Sequence, residues 1–449
     1  MLKSVGARKY LANTGWMFAE KVFRLAVVLI TGIFVARFLG PTLFGQFNYA
    51  TGFVGLFFAL TAMGLDEIVV RDLVRHPERR DELLGSAALL KLCGAGLLVV
   101  LATVIGFLKN MESITLLVVV IVAVSELLKP FVVIEFWFQA QVRARAVSKV
   151  LIVQSLVSAA WKLALVWWLP RDADGFATQS ALLWFAWAYV IELVASAIGC
   201  AVAYENAGGV LRAWRVTRAT AGHLLKESWP LLIYGVALYV QAKIDQVMIF
   251  DILKDRIGPK AAYAEAGQYA NALKMIEALG FLPVIVQKSL APAITRARME
   301  GMAKYEDRLL NQYRLMFLMF LVTAVPLFFL AEPIMVLLYG EPFRPSGILL
   351  SLFAIRLLFT NMGMGKTSFI TNESLFKYSL VTALVGAGLN IAINYVLIPR
   401  FQSAGAIWAT IISFTVSLFL LDLCFKSTRA NFGWMMKAMG TFWKFHRAT

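Results

Sequence analysis

Cysteine and histidine are scarce in this 449-residue chain, with three of each. Cys93, Cys200 and Cys424 lie far apart in apolar surroundings with no CxxC pair, which excludes a disulfide framework and a zinc site. His76, His223 and His446 fall in polar stretches, so neither metal chemistry nor a Ser/His/Asp or Cys/His arrangement has partners to work with. Charged residues make up only 16% of the chain, and no large acidic hydrophilic lobe of the kind expected of a membrane glycosyltransferase is present. Alternating ten-residue strands are missing, which argues against a β-barrel. The amino-terminal stretch has no short apolar core followed by a small-residue cleavage site, so its first apolar run reads as a retained helix. GMGKT at 363–367 fails as a nucleotide loop, because Thr360 stands where the first glycine belongs.

What the chain has in abundance is apolar length. Hydrophobic residues reach 60%, against roughly 45–50% in soluble domains. Segments of about 20 residues, the length that crosses a bilayer as helix, recur throughout. They fall near 12–38, 46–69, 84–108, 113–138, 148–169, 180–204, 228–250, 265–290, 309–331, 346–371, 376–398 and 404–425. The expected fold class is therefore all-α and polytopic, with twelve transmembrane helices.

The formal net charge of +16 would suit nucleic acid, but its placement does not. Arg71, Arg75, Arg79 and Arg80, then Arg212, Arg215, Arg218 and Lys226, then Arg296, Arg298, Lys304 and Arg308 fall on one side of this topology. Far fewer cations, among them Lys109, Arg171 and Arg344, fall on the other. By the positive-inside rule both termini are expected to be cytoplasmic.

Within the apolar segments, ionisable residues mark a polar path. The stretch Tyr239–Pro283 carries Lys243, Asp245, Lys274 and Glu277, with Lys243 roughly 10 Å and Lys274 roughly 13 Å from the outer ends of their helices. Glu20 and Arg24 stand four apart on one helix face; they either neutralise each other or leave Arg24 to line a cavity. Lys91 and Arg314 lie near inner helix ends and are expected to snorkel to the headgroups. Helix four carries Glu126, Lys129, Pro130 and Glu135. Lys162 and Glu192 read as inter-helix partners, and Arg356, well inside helix ten, as a cavity candidate. The segment RDLVRHPERRDELLG reads as solvated.

The chain divides into lobes 1–204 and 228–426, joined by a cytoplasmic linker at 205–227 and followed by an amphipathic tail at 427–449. The halves echo one another: GQFNYA at 45–50 and GQYANA at 267–272 each follow a Gly-Pro, Gly40-Pro41 and Gly258-Pro259. Arg24 and Lys243 stand at matching distances upstream. Six crossings per half give a pseudo-twofold axis along the membrane normal.

Several short motifs occur in a fixed order: Asn13 and Trp16, Arg37 leading LGPTLFGQF, Gly64 before Arg71, EFWFQ at 135–139, KIDQVMI with GQYANALK, LLYGEPF at 337–343, and GLNIAINYVLIP followed by SAGAIWATIIS. In these the chain resembles Wzx-type oligosaccharide (O-antigen or polysaccharide repeat-unit) flippases of the multidrug/oligosaccharidyl-lipid/polysaccharide (MOP) exporter superfamily. The resemblance implies two six-helix lobes about a central cationic cavity. It also implies export of undecaprenyl diphosphate-linked repeat units, with a polysaccharide polymerase and chain-length regulator as partners. Arg24, Lys243 and Lys274 match cavity charges, and Asp245 belongs to the helix-seven signature.

On physical grounds, Arg356 joins those cations, while Gln241, Gln268, Asn271 and Asn361 offer partners for sugar hydroxyls. Glu20, Asp245 and Glu277 either carry a coupling H+ or Na+ or only balance nearby cations. No cofactor, metal or enzyme activity is expected. The alternatives are a flippase for the peptidoglycan precursor lipid II, whose relatives often carry two further helices, and a drug/cation antiporter, disfavoured by the basic candidates.

Overall fold

The structure, a computed structural model, describes residues 5–444, apart from the side chains of 5–14 and 17. Asn13, as a side chain, and His446 lie outside the described residues, as does the tail beyond 444. By its contacts the chain forms two compact units, Met1–Ile244 and Asp245–Thr449.

In the first unit the long apolar runs become α1 (Val5–Gly55), α2 (Phe58–Ala62), α3 (Asp66–Arg75), α4 (Arg80–Leu108), α5 (Ser113–Ser125), α6 (Val133–Ala140), α7 (Ala144–Trp168) and α8 (Ala181–Asn206). α9 (Arg218–Ile257) begins here and continues into the second unit, which adds α10 (Pro259–Leu279), α11 (Phe281–Glu300), α12 (Met302–Tyr339), α13 (Arg344–Asn372), α14 (Phe376–Phe414), α15 (Leu421–Cys424) and α16 (Arg429–Gly440). No strand occurs among the described residues, only one bridge between Arg171 and Ala177.

Nine helical stretches among the described residues are long and apolar enough to cross a membrane. Two of them contain a break, at Gly40 (φ 69°) and at Gln402 (φ 52°), where the backbone leaves helical geometry. α9, 40 residues long, is not among the nine, because charge dilutes its apolar run. The twelve expected segments thus fall mostly on helix, but they do not stand as twelve separate rods.

The segment LGPTLFGQFNYA is helical except at Gly40. A β-carbon there would stand 2.7 Å from Phe176, so both the positive φ and the close packing require glycine. Pro41 restarts the helix where a missing N–H is harmless. The echo in the second unit has the same local geometry, with Gly258 at φ 84° before Pro259.

Lys91 does not snorkel. It is buried, pairs with Asp66 at 3.1 Å and donates to the carbonyls of Ala62 (3.1 Å) and Thr61 (3.4 Å). α2 ends there in a left-handed Met63, and its free carbonyls attract a cation. Arg314 does not snorkel either: it is buried beneath the end of α16, bonded to Thr441 Oγ1 at 3.1 and 3.2 Å and to Asn311 Oδ1 at 2.9 Å.

The segment expected to be solvated is half structural. Asp72 and Leu73 are buried, and EFWFQ packs behind α3, with Trp137 against Tyr204 at 4.9 Å. Residues 205–227 pack onto this end of the first unit through Arg215 N–H to Asp81 O (3.1 Å) and Arg71 to Glu227 (2.7 Å). From Arg218 onward they are already part of α9.

Candidate functional site

Polar groups concentrate separately in each unit. In the first, Glu20 and Arg24 are an ion pair at 3.2 Å in which the carboxylate is 4% exposed and the guanidinium 37%. A second pair repeats the arrangement: Glu126 and Lys129, 3.7 Å apart, at 4% and 35%. Glu126 also accepts from Thr61 Oγ1 at 3.1 Å. Lys129 stands 5.7 Å above the Phe58 ring and sits in a 3-10 stretch, Glu126–Val132, that includes Pro130. A proline inside an apolar helix removes a backbone donor, and the tighter winding re-aims the side chains around it. Lys129 was absent from the expected site; its one sequence signal was Glu126 three residues before it, beside a proline.

Lys243 is half-buried on α9, its stem lying against Gly55, where a β-carbon would stand 3.2 Å from Lys243 Cγ. One turn earlier, Tyr239 meets the Phe58 ring edge-on at 6.1 Å. Gln241 is half-buried between them in sequence. Lys162 and Glu192 pair at 4.0 Å, as partners.

In the second unit the buried Asp245 accepts three hydrogen bonds from neutral donors. Tyr269 OH and Thr410 Oγ1 reach Oδ2 at 2.7 Å each, and Asn394 Nδ2 reaches Oδ1 at 2.7 Å. Asn390 completes the cluster, accepting from Asn394 and donating to Thr410 Oγ1, both at 3.3 Å. No base lies within ion-pair distance of Asp245 among the described residues, so it does not balance a neighbouring lysine or arginine. Asn394 Oδ1 is buried with no hydrogen-bond partner. The result is a set of oxygens around one carboxylate, the ligand chemistry of a proton or a hard cation. No group of three or more His, Cys, Asp or Glu that could hold a metal ion occurs among the described residues.

The other expected residues divide. Gln268 donates to Pro342 O at 2.8 Å and accepts from Ser346 N–H at 3.1 Å, so its amide ties α10 to the start of α13. Asn271, fully buried, has neither amide atom partnered, and Asn361 leaves its oxygen free while donating to Leu357 O. Such groups cost about 1–3 kcal/mol each unless water or a ligand meets them. Arg356 lies between the Phe353 and Phe414 rings at 5.8 and 5.6 Å with a buried, unpartnered Nε. Lys274 is half-buried, and Glu277, three residues on, is exposed. Lys366 of the failed nucleotide motif is sealed against Asp422 at 2.6 Å.

The chain is an all-helical multi-pass membrane protein by class, with charges inside its apolar segments, and the comparisons give that class a fold. An inward-facing multidrug resistance MATE family transporter of the MOP superfamily matches with a TM-score of 0.64 at 14% identity, over 95% of this chain and 96% of that one. The lipid II flippase MurJ, in an inward closed conformation, matches at 0.67 and 12% identity, over 96% and 91%. A MOP superfamily transporter from Pyrococcus furiosus Vc1, described as having a binding pocket of reverse polarity, matches at 0.52 and 13%, over 97% and 95%. At these identities the likeness establishes the MOP fold. No curated protein matches the chain by sequence. The family model for polysaccharide biosynthesis protein matches residues 10–298, and the chain belongs to that family.

Proposed function

We propose that this protein is a flippase that moves undecaprenyl diphosphate-linked oligosaccharide repeat units from the cytoplasmic to the outer leaflet of the bacterial inner membrane by alternating access, with both termini in the cytoplasm. The observation that carries the reading is the family match, which ties a chain of MOP fold to polysaccharide biosynthesis. Physical chemistry supplies the reason for the cations. A bare diphosphate in hydrocarbon faces an idealised penalty on the order of 20 kcal/mol per charge, so unaided flipping is negligible. Arg24, Lys129, Lys243, Lys274 and Arg356 are the groups we assign to the diphosphate. Asn271, Asn361 and Gln241 are those we assign to the sugar, with Gln268 holding α10 in place.

Direction follows from charge, since a membrane potential contributes about 2.3 kcal/mol per charge per 100 mV and an interior-negative potential expels an anion. Asp245 is the coupling acid best supported by geometry: an H+ or Na+ entering there would meet Asp245, Asn394 and Thr410 oxygens with no base to displace. Glu20 is committed to Arg24 and is the weaker carrier. A polysaccharide polymerase and chain-length regulator would take the delivered units.

The test is surface polysaccharide in cells carrying Lys243→Ala/Lys274→Ala, with membrane insertion checked in parallel. Loss of polymer with normal insertion is expected; unchanged polymer would point to a drug or cation exporter. Loss of viability on gene deletion in a polysaccharide-free background would point instead to lipid II.

A further inference from the structure

A pocket of about 360 Å3 lies at the arginine-rich end of the first unit, and none of its lining residues is a cation assigned to transport. Its walls come from α3, the turn after it, the start of α4 and the first turns of α9. Three arginines, Arg71, Arg75 and Arg79, and two histidines, His76 and His223, line it. We propose that this pocket binds a phosphate-bearing anion.

The carboxylates present do not cancel the cations evenly. Asp72 and Glu227 both bind Arg71, at 2.8 and 2.7 Å, and Asp72 also faces His223 at 3.2 Å. Burial would raise the Asp72 carboxyl, but the hydrogen bonds and charge of Arg71 and His223 outweigh it and hold the group below its usual value. Arg79 is held by Glu82 at 3.1 Å and by Thr220 at 2.7 Å. That leaves Arg75, exposed at the mouth, with no ion pair or hydrogen bond to any other described side chain, next to His76. A planar guanidinium offers paired donors that match two oxygens of a phosphate.

The resting contacts have the form a displaceable lock would take. Arg71–Glu227 and Asp72–His223 both run from α3 to the start of α9; Arg71, Glu227 and His223 are partly exposed, and the Arg71–Glu227 pair is of the kind that contributes little and exchanges readily. An anion taken up by Arg75 and Arg71 competes directly with Glu227 and resets the first turns of the helix that also carries Lys243. The phosphate has two sources, the headgroup of an anionic phospholipid or a soluble or substrate diphosphate. The proposal does not depend on which lipid the protein transports.

The test uses the full chain. In neutral detergent, inorganic pyrophosphate is titrated calorimetrically into wild type, Arg75→Gln, Arg75→Gln/Arg79→Gln and Arg308→Gln, the last at an exposed arginine of α12. Saturable binding that weakens about tenfold in Arg75→Gln and is unchanged in Arg308→Gln is the expected result. Arg75 has no partner to lose, so its variant keeps the fold even if the double variant does not. In a second arm, amide exchange of 217–227 is followed in phosphatidylcholine vesicles with and without phosphatidylglycerol. A change that needs phosphatidylglycerol and disappears in Arg75→Gln assigns the phosphate to a lipid headgroup; pyrophosphate binding without it assigns a diphosphate. Absence of saturable binding in both arms, or binding that Arg75→Gln retains, overturns the proposal.

Discussion

Asp245 and Asp422 are two aspartates buried to nearly the same degree in the same unit, and their surroundings are opposite. Asp422 faces Lys366 at 2.6 Å, accepts from Asn431 at 3.0 Å and from Tyr378, and so helps fasten α16 to α13. Asp245 has only neutral donors, from Tyr269, Asn394 and Thr410. A carboxylate locked to a lysine is already neutralised and has little to offer a passing cation. One held by hydroxyls and amides keeps its charge available, and in a low-dielectric interior that charge is worth most when a proton or metal ion arrives. Burial alone therefore does not distinguish an architectural acid from a working one; the partner does.

The largest effect that would sharpen this contrast is on Lys366. Lys366→Met strands Asp422 without its base, and breaking a buried pair in this way costs about 3–5 kcal/mol, read as a lower melting temperature in detergent and a poor yield of folded protein. Asp245→Asn should behave differently. It keeps the shape and most hydrogen bonds at a cost of about 1–2 kcal/mol, yet transport loses its dependence on the H+ or Na+ gradient, measured by varying each gradient separately. If Lys366→Met folds normally while Asp245→Asn does not, the assignment of roles is reversed.

The paired cations of the first unit extend the comparison at smaller amplitude. Lys129→Gln removes a half-buried cation from the buried Glu126, which keeps its Thr61 hydrogen bond, so stability falls by about 1 kcal/mol while surface polymer falls. Loss of stability with polymer retained would make Lys129 purely structural. Glu277→Gln, at an exposed position of α10, is the smallest case, within about 0.5 kcal/mol in stability and without effect on ion dependence.

These contrasts also mark where reading the sequence stops. Apolar length located the helices, and the two Gly-Pro steps were legible because a positive φ before a helix start is a local requirement, met at Gly40 and Gly258. The pairing of Glu20 with Arg24 was legible for the same reason, being one turn of helix. Lys91 and Arg314 were misplaced because depth along a helix does not reveal what packs over it, here the end of α2 and Thr441. The partners of Asp245 stand up to 165 residues away in sequence, so no spacing rule could have gathered them. Gln268 and Asn271, three apart on one helix, looked equivalent; only packing divides them into a tied amide and an unpartnered one.

The most direct measurement is flipping itself. Purified full chain is reconstituted into vesicles with an undecaprenyl diphosphate-linked repeat unit, and the share of sugar reached by an external glycosidase is followed after an inside-negative potential is imposed. Wild type should expose the sugar steadily, while Lys243→Ala/Lys274→Ala, inserted to the same level, should stay at the rate of protein-free vesicles. Equal rates in variant and wild type would contradict the account.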